Sequence, residues 1–193
     1  MAKHPSAKKQ STGAIRIIAG KHRGRKLPVL NAQGLRPTTD RVKETVFNWL
    51  MPYTGQSLCL DCFAGAGSLG FEALSRGANQ VIMCELDKSA AKQLKSNALL
   101  LNADNVSVIQ GNALNYLTNK PTAMDIIFID PPFREGLADK AIKLIDNGWL
   151  KDDGLVYVEV ESELSMTAIP AHWQLLKEKV AGQVAYRLYQ NTQ

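Results

Sequence analysis

The chain has 193 residues, with 23 Lys and Arg against 18 Asp and Glu, 45% hydrophobic residues and three cysteines. That length suits one domain of roughly 150–200 residues, and the composition excludes wholesale disorder, collagen-like repeats and a disulfide framework. No apolar run approaches the roughly 18 residues of a membrane span, and the first residues carry no apolar signal segment. A cytoplasmic protein without membrane contact is therefore expected.

The charge is unevenly placed. Residues 1–43 hold eleven basic side chains against one acid, Asp40, a segment charge of +10 that leaves −5 on the other 150 residues. A basic arm on an acidic body points to a polyanionic partner. Residues 1–13 read as a loose tail. In 15–30, Ile15, Ile17, Ile18 and Leu27 interleave with charges around the Gly-rich stretch Gly20-Lys-His-Arg-Gly24, which predicts a hairpin with a long basic turn. Thr39 is placed to cap a helix carrying Val42, Val46, Phe47 and Leu50 at helical spacing, and Pro52 is expected to stop it.

From Ser57 onward strands and helices alternate. Strands are expected at 58–61, 81–85, 106–110, 125–130 and 155–159, with helices at 68–76, 89–101, 113–117 and 137–146. Such βαβ units imply a parallel sheet covered by helices on both faces. Residues 174–180 and 183–189 flank Ala181-Gly182 and read as a closing antiparallel hairpin.

Asp61-Cys-Phe-Ala-Gly65-Ala-Gly67-Ser-Leu-Gly70 falls between the first buried strand and its helix. Glycines there let the backbone approach a ligand closely, and the helix N-terminus offers free N–H groups. Glu85, ending the next strand, is suited to accept from both hydroxyls of an adenosine ribose. Dehydrogenases and adenosylmethionine-dependent methyltransferases share this arrangement. Asp61 separates them, because an acid before the glycines repels a pyrophosphate but suits a cationic amino group and sulfonium.

The fourth parallel strand ends in Asp130-Pro131-Pro132-Phe133, at the sheet edge where open α/β folds bind ligands. The prolines fix the backbone and bring no N–H of their own. Asp130 supplies an acceptor and Phe133 a flat face, which together fit a planar ring bearing an exocyclic amine. Two acceptors on that amine localise its lone pair for in-line attack on a methyl, so catalysis is chiefly alignment and electrostatics. These features leave guanine N2, adenine N6 of RNA or DNA, the amide of a protein glutamine, and a non-catalytic RNA-binding role all open. Cys59 and Cys62 form a C-x-x-C inside the first buried strand; with Cys84 they read as core residues, and no metal site is expected.

The sequence resembles the RsmD family. The resemblance covers residues 15 to about 190 and is carried by Arg36-Pro-Thr-Thr-Asp40-Arg-Val-Lys-Glu44-Thr-Val-Phe-Asn-Trp49, the Asp61 to Gly67 turn, Asp130 to Phe133 and Glu178-Lys-Val-Ala-Gly-Gln-Val-Ala-Tyr-Arg-Leu-Tyr189. It implies a class I S-adenosylmethionine-dependent methyltransferase fold, Rossmann-like, with a seven-stranded sheet ending in an antiparallel hairpin and a small basic N-terminal β-hairpin extension. It also implies methylation of guanine N2 at family position 966 of 16S ribosomal RNA, within a small-subunit particle; apart from the resemblance, a monomer is expected. By the same resemblance Asp61, Phe63, Ala64, Gly65, Gly67 and Leu86 line the cofactor, Glu85 binds its ribose, Asn112 and Ala113 flank the adenine, and Asp130, Pro131, Pro132 and Phe133 hold the base. Many class I methyltransferases carry an acid where this chain has Asn112, whose amide oxygen is expected to meet the adenine amino group instead. Residues 1–14 are then a flexible basic tail, 15–52 a hairpin and helix gripping RNA through Arg16, Lys21, Arg23, Arg25, Lys26, Arg36 and Arg41, and 53–193 the methyltransferase domain.

Overall fold

The computed structural model describes residues 13–30 and 39–193. Most of the expected N-terminal tail and Arg36 lie outside the described residues. Strand β1 (Gly13–Arg16) pairs antiparallel with β2 (Lys26–Val29), Ile15 opposite Leu27. Ile15, Ile17 and Leu27 bury their side chains in the same core as Val46 and Phe47 of α1 (Asp40–Trp49). Apolar burial thus contributes to holding the hairpin, and its charged side chains are left on the outside. Thr39 caps α1, its hydroxyl accepting from Val42 N–H at 3.4 Å. Lys43, counted with the basic arm in the sequence, is only 2% exposed. Its Nζ donates to the Arg16 carbonyl at 2.5 Å and pairs with Asp40 at 3.4 Å, tying α1 to the hairpin.

Pro52 does not stop the helix as expected. It sits in the first turn of a short second helix, α2 (Met51–Thr54), where the missing N–H costs no hydrogen bond.

Seven strands form the main sheet: β3 (Leu58–Asp61), β4 (Gln80–Glu85), β5 (Val106–Gln110), β6 (Met124–Ile129), β7 (Leu150–Glu161), β8 (Trp173–Ala181) and β9 (Val184–Asn191). Their order is β5-β4-β3-β6-β7-β9-β8, with β3 to β7 parallel and the last two antiparallel. The closing hairpin folds back so that β9, not β8, joins β7. Helices α3 (Ser68–Ser75), α4 (Lys88–Leu100), α5 (Ala113–Leu117) and α6 (Leu137–Ile145) complete the crossovers. Strand residues alternate between two cores. Cys59, Met83, Phe128 and Tyr157 meet α1, α3 and the hairpin, while Leu60, Ile127, Val156 and Val158 meet α5 and α6. β7 begins earlier than the apolar run 155–159 suggests, because Leu150 already pairs with Met124, and Lys151 to Gly154 form the irregularity between that pair and Ile126–Leu155.

The three cysteines are buried and unbridged. Burial pushes the thiols of Cys59 and Cys84 up to about 12, so they are protonated core residues. Among the described residues no helix is long and apolar enough to cross a membrane.

Candidate active site

The chain runs outward from β3 through β4 to β5 and then returns to place β6 on the other side of β3. Ligands bind where a sheet reverses its winding in this way, at the carboxyl ends of its strands. A cavity of about 800 Å³ opens there. Along the strand ends in sheet order stand Asn112, Glu85, Asp61, Asp130, Glu159 and Tyr186.

Two of the predicted residues support the wall from behind. Gly67 has φ of +80°, and a Cβ there would come within 2.6 Å of Phe71 and Leu94 side chains, so only glycine turns the chain into α3 at this point. Asp61 is 1% exposed, under the turn. Its Oδ2 accepts from Gly70 N–H at 3.2 Å. Burial raises its pKa to about 7, against the backbone hydrogen bonds that lower it. Phe63, Ala64 and Gly65 form the wall itself.

Glu85 accepts from Gly65 N–H at 2.7 Å through Oε2 and from Asp87 N–H at 2.7 Å through Oε1. A carboxylate has acceptor capacity beyond these two bonds. Leu86 next to it is 66% exposed and lines the cavity, an apolar surface for a flat ring. Asn112 and Ala113 line the same end. Asn112 Oδ1 also caps α5, accepting from Leu114 N–H at 2.8 Å, which leaves the oxygen one further lone pair toward the cavity. Asn and Asp are comparable N-caps, which accounts for an amide at this position.

Asp130, Pro131, Pro132 and Phe133 enter from the other side of β3, one strand over from Asp61. The loop they begin is held by Glu161 of β7, whose side chain accepts from Arg134 N–H. Several wall residues were not anticipated as such: Thr39 and Val42 of α1, Glu159 of β7 and Tyr186 of β9. Glu159 had a signal in the sequence, a carboxylate embedded in the apolar run of β7. Thr39 had none beyond its capping pattern.

The predicted basic residues separate into two places. Arg16, Lys21, Arg23, Arg25, Lys26 and Arg41 are all exposed. Arg41 lies in sequence between Thr39 and Val42, which line the cavity, and its charge acts on Tyr186. The turn 20–25 instead covers the far ends of α3 and α4. Lys21 N–H donates to the Ser75 carbonyl at 2.7 Å, and Arg25 Nη2 to the Leu100 carbonyl at 2.8 Å. Gly20 is required there, since a Cβ would fall 1.8 Å from the Ser75 oxygen. With α3 beginning at the cavity and rising about 1.5 Å per residue, the turn is roughly 10 Å from it. His22 in that turn has its pKa lowered by desolvation and by Lys21 and Arg25.

An S-adenosylmethionine cofactor can be tested against this site. Asp61 Oδ1 and Ser68 Oγ are buried with no hydrogen-bond partner among the described residues. An orphaned carboxylate oxygen beneath the glycine turn suits a cationic donor, and an orphaned hydroxyl at the start of α3 suits a carboxylate. The residues fit the group.

A seven-stranded sheet of this order, with the glycine turn after β3 and an acid ending β4, is the class I methyltransferase fold. The family model described as conserved hypothetical protein 95 matches residues 15–190. The Escherichia coli K12 protein "Ribosomal RNA small subunit methyltransferase D" is 55% identical over 180 residues, 93% of this chain and 91% of its own. The protein of the same name from Haemophilus influenzae is 55% identical over 193 residues, 97% of each chain. Among solved structures, a putative methyltransferase, yhhF, from Escherichia coli superposes with a TM-score of 0.88 at 52% identity, covering 93% of this chain and 99% of that one. The chain belongs to the family of these proteins, the RsmD family.

Proposed function

We propose that the protein transfers a methyl group from S-adenosylmethionine to the exocyclic N2 of a guanine in 16S ribosomal RNA, family position 966, within a small-subunit particle. The observation that carries this reading is the single cavity in which Glu85 and the glycine turn stand on one side and Asp130 to Phe133 on the other. The names of the relatives supply the ribosomal substrate.

S-adenosylmethionine supplies a methyl already activated on a sulfonium. When it is bound, Glu85 would accept from the ribose hydroxyls, Leu86 would offer its apolar surface to the adenine, and the Asp61 carboxylate beneath the turn would favour the cationic end. Asp130 and the Pro131 carbonyl accept from the N2 amine, drawing its lone pair out of conjugation with the ring and along the line of transfer. Phe133 stacks on the base. As charge develops on nitrogen, the Asp130 carboxylate stabilises it and receives the departing proton. Arg41 holds phosphate at the mouth, and Lys21, Arg23 and Arg25 meet RNA that extends along the far side of the hairpin.

The test is methyl transfer from labelled S-adenosylmethionine to small-subunit particles from cells lacking the activity, followed by nucleoside digestion. N2-methylguanosine is expected. Label in N6-methyladenosine, or in protein alone, would overturn the reading.

A further inference from the structure

The cofactor and base contacts assigned above leave Glu159 unused. It is 9% exposed and lines the cavity. Ile129 of β6 pairs with Val158 of β7, so Asp130 and Glu159 each follow by one residue and emerge side by side on strands roughly 4.8 Å apart. Residues two apart on a strand share a face. Glu159 therefore stands above Tyr157, and Asp130 above Phe128; those two aromatic rings pack edge to face with centroids 6.3 Å apart. Tyr186 is paired with Glu159 across β7 and β9.

This layer fixes the carboxylate. Tyr157 Oη donates to Glu159 Oε2 at 2.6 Å, and the hydroxyl is buried on β7, with no freedom to leave. Among the described residues no donor is recorded for Oε1. A largely buried carboxylate that lines a ligand cavity, with one oxygen held and no donor on the other, is an acceptor awaiting a donor. Its charged and titratable surroundings are Asp130 from β6, Tyr157 on its own strand, Tyr186 from β9, and Arg41 at the start of α1.

We propose that Glu159 reads the N1–H of the target guanine and so selects guanine over adenine. This rests on the guanine-N2 reading above. The Watson–Crick edge of guanine presents two neighbouring donors, N2–H and N1–H, and the site presents two neighbouring carboxylates. With Asp130 on the amine, Glu159 meets N1–H. Adenine offers a bare N1 lone pair at that position, which a carboxylate repels, and a site built for a hydrogen bond rejects the analogue lacking it.

The test uses small-subunit particles reconstituted with 16S RNA carrying guanosine, 2-aminopurine or 2,6-diaminopurine at the target position. Both analogues keep the 2-amino group and replace N1–H with a bare nitrogen. Wild-type kcat/KM should be lower for them by about 10- to 100-fold. Glu159→Gln should narrow or invert that ratio, because the amide can donate to a bare N1. Tyr157→Phe, which frees the carboxylate, should narrow it less. S-adenosylhomocysteine affinity should be unchanged in Glu159→Gln, which also reports that the variant folds. Wild-type enzyme that accepts the analogues as readily as guanosine overturns the assignment, as does a Glu159→Gln ratio equal to wild type. If wild-type enzyme leaves the guanosine particle unmethylated at N2, the underlying reading fails, and Glu159 with it.

Discussion

Glu85 Oε2 accepts from the Gly65 backbone N–H at 2.7 Å, which ties the end of β4 to the glycine turn after β3. One carboxylate thus shapes the turn while facing the cavity that the turn encloses.

Removing it has two effects. Glu85→Ala should weaken S-adenosylmethionine binding by about 1.5–3 kcal/mol, the range for charge-assisted hydrogen bonds. It should also release the Gly65 and Asp87 N–H groups. Glu85→Gln, which keeps one acceptor oxygen, should fall between. Calorimetry showing wild-type affinity in the alanine variant would remove Glu85 from the cofactor site.

Asp61 predicts a pH dependence. Its folded-state pKa is raised to about 7 by burial, above an ordinary value of 3.8. Between those values the folded protein keeps a proton that the unfolded chain has lost, so this group's contribution to stability falls as pH rises through the window. A cationic ligand favours the carboxylate and releases that proton. S-adenosylmethionine affinity should therefore increase from pH 5 to 7, with proton release near pH 6 seen as a buffer-dependent binding enthalpy. Asp61→Asn should abolish the proton release; a variant that retains it would place the titration elsewhere.

The hairpin is docked by Glu72. That side chain is fully buried and accepts from Ile18 N–H at 2.8 Å, Ala19 N–H at 3.1 Å and Arg76 Nε at 2.7 Å. Glu72→Ala strands two backbone donors and a guanidinium, and should cost about 3–5 kcal/mol in unfolding free energy. Denaturant melts check this, and a loss under about 1 kcal/mol would mean that apolar burial alone holds the hairpin.

The two basic regions should separate in salt-dependent RNA binding. Neutralising Lys21 and Arg23 should weaken binding and flatten the salt slope by up to about two contacts. Arg25 is a poorer probe because its guanidinium also caps α4. Arg41→Ala, beside the cavity, should flatten the slope by about one contact and also lower methylation of bound RNA. Equal effects of both changes on methylation per bound RNA would contradict this division.

The parallel core was legible because its strands are short apolar runs separated by helices, and the motifs sit where the chain enters and leaves them. Asp61, Glu85 and Asp130 could be placed at strand ends for that reason. Other features depend on through-space contacts that no local pattern encodes. Lys43 looks like one more surface cation until the Arg16 carbonyl closes over it. The basic turn looks like a neighbour of the site until Ser75 and Leu100 anchor it at the far ends of their helices. Glu159 shows in the sequence as an acid inside an apolar run, but its place beside Asp130 appears only once β7 is laid beside β6.

The central claim is that Asp130 acts on the nucleophile and not on the cofactor. The direct measurement is single-turnover methylation of the ribosomal particle by Asp130→Ala, with S-adenosylmethionine affinity determined on the same preparation. Transfer should fall by orders of magnitude, several kcal/mol of transition-state stabilisation, while cofactor affinity stays within a few-fold. Near-wild-type transfer by Asp130→Ala would contradict the account.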